Sequence, residues 1–178
     1  ARFSISLTGD EEGYRAASGF EQQKMRVETQ WRTGTTDYHF SLAGMNLNQE
    51  TAGYVKTEDC PSGQEAYEDE TCAKSNPFAE AYRDAQAFRS FLRIQRSLND
   101  GATLTVTPYL RTNDMEFLMH FLPGQAVEEN EHTSIGAQIS YARNSDRVSY
   151  VVGFDGELTN GELTEIQTQA ATPFFHTF

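Results

Sequence analysis

Seven stretches of this chain alternate apolar and polar residues, and the connections between them alternate short and long. The first reads RFSISLTG: Phe3, Ile5 and Leu7 fall on one side, and Arg2, Ser4, Ser6 and Thr8 on the other. Successive strand side chains point to opposite faces, so each stretch has one apolar and one polar wall. The expected strands are Arg2–Gly9, Glu21–Trp31, Tyr38–Leu47, Tyr82–Ser97, Ala102–Thr112, His132–Ala142 and Arg147–Leu158. Short connections fall at Arg32–Asp37, Leu98–Gly101 and Arg143–Asp146. Long ones fall at about 10–20, 48–81, 113–131 and 159–178. Tight turns at one end and long loops at the other are the layout of a transmembrane β-barrel, and ~9–11 tilted residues suffice to cross a bilayer.

One apolar face runs through the whole series. It carries Met25, Val27 and Trp31, then Tyr38, Phe40 and Leu42, then Phe88, Leu92 and Ile94. It continues through Leu104, Val106 and Leu110, then Ile135, Ile139 and Tyr141, then Tyr150, Val152 and Phe154. The opposite face carries Lys24, Arg26, Glu28, Arg89, Arg93, Arg111, Gln138 and Asp155. Phe3, Trp31, Tyr38, Tyr141 and Tyr150 gather beside the short turns, where amphipathic rings would sit at a membrane interface. Pro108 interrupts a strand, which suggests a bulge.

Composition narrows the function classes. No run of ~18 apolar residues exists, which argues against a transmembrane helix but says nothing of a barrel. The net charge of −12, with no basic stripe, argues against nucleic acid. Cys60 and Cys72 share one polar loop and are expected to form a disulfide, the mark of an oxidising compartment. The acidic run Glu65–Glu70 reads as a solvated loop, with a calcium loop as the alternative. His39, His120, His132 and His176 share no metal-ligand spacing, and no HExxH, GxSxG or P-loop motif appears. No catalytic site, cofactor or metal is therefore expected.

The stretches GYRAASGFEQQK (Gly13–Lys24), NLNQETAGYV (Asn46–Val55), KSNPFAEAYRDAQAFR (Lys74–Arg89) and DMEFLMHFLPG (Asp114–Gly124) resemble TonB-dependent outer-membrane receptors. The resemblance covers nearly the whole chain and places it in the middle of such a barrel. It implies an all-β, antiparallel segment of about seven strands within a plugged barrel of about 22. It further implies energised uptake, across the bacterial outer membrane, of a scarce nutrient of the siderophore–iron, cobalamin or glycan type. Implied partners are TonB, reached through a plug outside this chain, lipopolysaccharide and outer-membrane lipid, the small-molecule nutrient, and a surface lipoprotein. Neither a TonB box nor a plug lies within these residues. The chain opens inside a strand and closes on FFHTF after a loop-like stretch, so a fragment of a longer protein is expected.

The strongest ligand candidate is the apolar loop Met115–Gly124, where Phe117, His120 and Phe121 would grip a cargo. Its alternative role is packing against neighbouring loops. Tyr54 and Tyr14, in the other long loops, are secondary candidates. Arg89, Arg93 and Arg111 would either attract an anionic cargo or pair with acidic groups of plug or barrel. Two rival readings are a passive porin-like channel and a soluble extracellular glycan-binding β-sandwich.

Overall fold

The computed structural model describes residues 2–60, 68–122, 124–145 and 147–167. It is all-β: one seven-stranded antiparallel sheet in which every strand neighbours the one before it in sequence. The strands are β1 (Arg2–Glu11), β2 (Phe20–Thr33), β3 (Thr36–Glu50), β4 (Tyr82–Ser97), β5 (Ala102–Met119), β6 (Ala126–Asn144) and β7 (Ser149–Gln167). Among the described residues β1 and β7 are the two edges, so the sheet is open.

The register carries the alternation from strand to strand. Residues directly opposite in an antiparallel pair share a face. Val27 faces Leu42, Phe40 faces Leu92, Ile94 faces Val106, Val106 faces Ile139, and Ile139 faces Phe154. The backbone of β1 joins the same series, Phe3 against Val27 and Ile5 against Met25. A slip of one residue anywhere would have sent one strand's apolar set to the wrong side. Near the turns, Trp31 stacks on Tyr38 at 5.0 Å and Tyr141 lies 6.1 Å from Tyr150.

The β4–β5 connection is residues 98–101, as expected, and the β6–β7 connection keeps its length but shifts to 145–148, while the β2–β3 turn is tighter than expected. Thr33 pairs with Thr36, leaving only Gly34 and Thr35 to reverse the chain. Gly34 and Gly101 both sit at positive φ, 58° and 70°, where a side chain would strain the backbone. Arg32 and Asp37 were expected in the first turn and instead pair directly across its strand ends.

The strands also run further than expected at the other end. The expected loop at 113–131 is mostly ladder: β5 continues to Met119, β6 begins at Ala126, and only residues 120–125 connect them. In the expected loop at 159–178, Thr159 to Gln167 belongs to β7, and the rest lies outside the described residues. The cause is visible in the register. The rung Gln86–Asp114–Glu131–Glu162 and the pairs Asp84–Glu116 and Glu116–Glu129 occupy the face that is apolar nearer the turns. Backbone pairing is indifferent to that change of polarity, but the hydropathy pattern is not.

Pro108 does not make a bulge. The β4–β5 ladder lapses between Phe91–Tyr109 and Ile94–Val106 with equal numbers of residues on each side, so the register is kept. Proline lacks the N–H for that side and remains opposite Ala137 on the other.

Little of the sheet is buried on either face. Among the described residues the buried apolar ones gather at the long-loop end, namely Cys60, Cys72, Ala81, Leu118 and Met119; Ala102, at the turn end, is the exception.

Candidate functional site

The long-loop end is a compact cap built by three connections. Residues 12–19 form a tight turn in which the Arg15 N–H donates to Ser18 Oγ at 3.1 Å and that hydroxyl donates to the Arg15 carbonyl at 2.7 Å. The turn presents the Arg15 guanidinium, which donates to the carbonyls of Gly53 and Ser75. Asn76 Nδ2 donates to the Ala17 carbonyl at 2.8 Å, completing the seam between the first and second loops. Within the second loop, Asp69 caps the short helix Glu70–Ala73 by accepting from the N–H groups of Thr71 and Cys72. The expected disulfide is present, with the sulfurs of Cys60 and Cys72 at 1.95 Å. The part of the Glu65–Glu70 run before Glu68 lies outside the described residues.

The third connection docks on the second. The His120 ring lies 4.7 Å from Phe78 and 5.6 Å from Phe121, and Phe121 lies 6.1 Å from Phe117. The Arg83 guanidinium covers Phe117 at 4.5 Å. Gly53 permits the contact: a Cβ there would come within 2.4 Å of Phe78 and 2.8 Å of His120 Nε2. Leu118 and Met119, neighbours on β5 that point to opposite faces, are each 6% exposed, so part of the expected loop is buried.

The structure thus brings Phe117, His120 and Phe121 together, and divides the apolar segment between packing and presentation. Phe121 remains 56% exposed. Tyr14 and Tyr54 stand apart from this group, exposed, each with a lysine near its ring. Phe78 and Arg83 belong to the cluster but carry no motif. Arg83 had one legible signal, since its parity on β4 matches that of Phe117 on β5 and the two are register partners.

Below the cap, the polar face holds a groove of about 590 Å³ lined by Arg26, Arg89, Arg93, Arg111, Tyr109 and Glu157, among others. Tyr109 faces Gly136 across the β5–β6 ladder, and its ring lies over that glycine. It reaches the next strand, where its hydroxyl donates to Glu157 Oε2 at 2.7 Å. Glu157 Oε1 accepts from Arg111 and from the Thr159 hydroxyl, and Thr159 meets Ser134 at 2.8 Å. Arg26 pairs with Glu28. At the short-turn end, Arg32 binds Asp37 through two nitrogens, which lowers the Asp37 pKa and raises that of Arg32.

No group of three or more His, Cys, Asp or Glu among the described residues has a metal-holding arrangement. Comparison of the chain with protein-family models, curated proteins and solved structures finds no match.

Proposed function

We propose that this chain is a middle segment of the wall of a TonB-dependent outer-membrane receptor, a transmembrane β-barrel that takes up a scarce small-molecule nutrient. The observation that carries the reading is the apolar face. It is continuous in register across the sheet, and its large side chains are half-buried to exposed, on the inner strand β6 as well as at the edge: Ile135 is 61% exposed and Ile139 45%. A sheet face of that kind needs lipid or a second sheet against it. The charged opposite face favours lipid outside and a watery lumen within. Each open edge would be closed by further strands of the same barrel, because unpaired edges are untenable in a bilayer.

The dimensions support the reading. β6 has 19 residues, roughly 60 Å at ~3.3 Å per residue. The apolar belt of an outer-membrane barrel is only ~25 Å tall. The turn-proximal halves of the strands, up to the aromatic residues Trp31 and Tyr38, would cross the lipid, and the short turns with Arg32 and Asp37, the acidic halves and the cap would stand outside it. In this reading Phe117, His120 and Phe121 meet the cargo at the mouth. TonB, acting through a plug beyond these residues, releases the cargo inward. Lipopolysaccharide surrounds the wall, and a surface lipoprotein would dock on the cap.

Trp31, the only tryptophan in the sequence, tests the wall directly. The intact protein and its Trp31→Phe variant are reconstituted in vesicles of brominated lipid, and the difference in emission isolates Trp31. Quenching by acyl-chain bromine is expected. Emission unchanged from ordinary lipid would rule out lipid contact and favour the sandwich. Uptake is tested separately, since nutrient accumulation must cease when TonB is removed; accumulation that continues would mean a passive channel.

A further inference from the structure

The polar face holds a concentration of positive charge at odds with a chain of net charge −12. Arg89 and Arg111 are direct cross-strand partners. Along the same rung Arg26 faces Ala43, and Ala43 faces Arg89. Arginines thus occupy three of four adjacent positions, separated only by an alanine. Arg93 follows on the same face of β4 and lines the same groove. Like charges directly opposite on one face destabilise a strand pair. Two of the four charges are answered: Arg26 binds Glu28 and Arg111 binds Glu157. Arg89 and Arg93 have no hydrogen-bond or ion-pair partner among the described residues, although Asp155, held by Gln138, and Glu157 line the same groove.

The geometry points to a binding site for a compact polyanion, a small molecule bearing phosphate or carboxylate groups, on the rung Arg26–Arg89–Arg111 with Arg93 at its edge. Arg89 supplies a whole guanidinium fork, which suits such oxygens bidentately. Arg111 is already oriented by Glu157, itself held by Tyr109 and Thr159. An anion between Arg89 and Arg111 converts their repulsion into two attractions. Phe91 and Tyr109, opposite each other one rung toward the turns, give the groove an apolar wall. The site lies on the polar face below Phe117 and Arg83, so a cargo leaving the mouth would meet it next. That placement rests on the receptor reading; the contact between arginines and anion does not.

The experiment is calorimetric titration of the detergent-solubilised intact protein with inorganic pyrophosphate and, separately, with citrate, at about 50 mM salt to limit screening. The variants are Arg89→Gln, Arg93→Gln and Arg89→Lys, with Arg96→Gln as the control. Arg96 faces Leu104 on the opposite side of the sheet and removes the same charge. At least one probe binds wild type. Its affinity falls roughly tenfold or more in Arg89→Gln, less in Arg93→Gln, and is partly kept in Arg89→Lys. It is unchanged in Arg96→Gln. Binding of pyrophosphate alone assigns phosphate chemistry, and binding of citrate alone assigns carboxylate chemistry. If neither probe binds wild type, or Arg96→Gln weakens binding as much as Arg89→Gln, the site is refuted. Trp31 quenching in brominated lipid, measured on the same preparation, keeps the two ideas separable. Quenching without anion binding refutes only the site, and anion binding without quenching refutes only the receptor wall.

Discussion

The wall and the cap of this molecule obey opposite rules. In the turn-proximal wall, large apolar side chains such as Ile135, Val152, Phe154 and Leu158 lie on the surface. In the cap, Leu118, Met119, Ala81 and the disulfide are inside, and charged residues such as Lys56 and Glu70 are outside. The cap is organised like a small water-soluble protein, with an interior, a helix cap, a cross-link and side-chain to backbone bonds between loops. Under the proposed reading, the wall meets lipid on its apolar side and water on the other. The boundary between them lies within continuous strands, where the apolar face turns acidic from Asp84, Asp114 and Glu131 onward.

The sharpest way to break that comparison is to truncate a leucine in each region. Leu118→Ala, in the cap, should cost about 3 kcal/mol, as expected for a buried leucine that leaves a cavity. Leu158→Ala, in the wall, should change stability by no more than about 0.5 kcal/mol. Urea unfolding of the detergent-solubilised protein measures both, and equal costs would erase the distinction.

A pair of neighbours on opposite faces of β6 gives the next largest effect. Ile139→Arg places a charge on the apolar face and should cost roughly 2–4 kcal/mol of stability in lipid. Gln138→Arg, one residue away on the polar face, should be close to neutral. Folding yield into vesicles separates the two, and equal tolerance would mean that water, not lipid, meets both faces.

The smallest effect lies at the short-turn end, outside both regions. The Arg32 guanidinium holds the Asp37 carboxyl below its ordinary value of 3.8. A depressed folded pKa means the pair's contribution is present above the unfolded pKa and is lost as pH falls through the folded one. Asp37→Asn should therefore lower the melting temperature slightly at neutral pH, and the difference should vanish as the solution is acidified below the carboxylate range. The pair is solvent-exposed, so salt should shrink the difference too. A gap that persists in strong acid would point to a packing role instead.

Much of the wall was legible because its physics has a period of two. Met25, Val27, Phe40, Leu92, Val106, Ile139 and Phe154 reveal strand, face and even register, since a single face must stay continuous. The upper halves of β5 and β6 were not legible, because Asp114, Glu116, Glu129 and Glu131 reverse the polarity of that face while the ladder continues. The cap was legible only at its cysteines and at Phe117, His120 and Phe121. Its partners Phe78, Arg83 and Arg15 act through contacts across long sequence gaps, and no local pattern marks them. Tyr109 and Gly136 are a similar case: each is unremarkable alone, and only the register places the ring over the glycine.

That ring has a consequence for how the sheet is assembled. A meander grows by adding each strand beside the last, so most of its contacts test only nearest neighbours. The Tyr109–Glu157 bond joins β5 to β7 across the intervening strand. If β7 arrived one residue out of step, Glu157 would face the other side and both Tyr109 and Arg111 would be left without it. The clamp therefore acts as a proofreading contact. It rewards β7 only when two successive pairings are both in step, and so guards against the slippage to which glycine-containing strands such as β7, with Gly153, Gly156 and Gly161, are most prone.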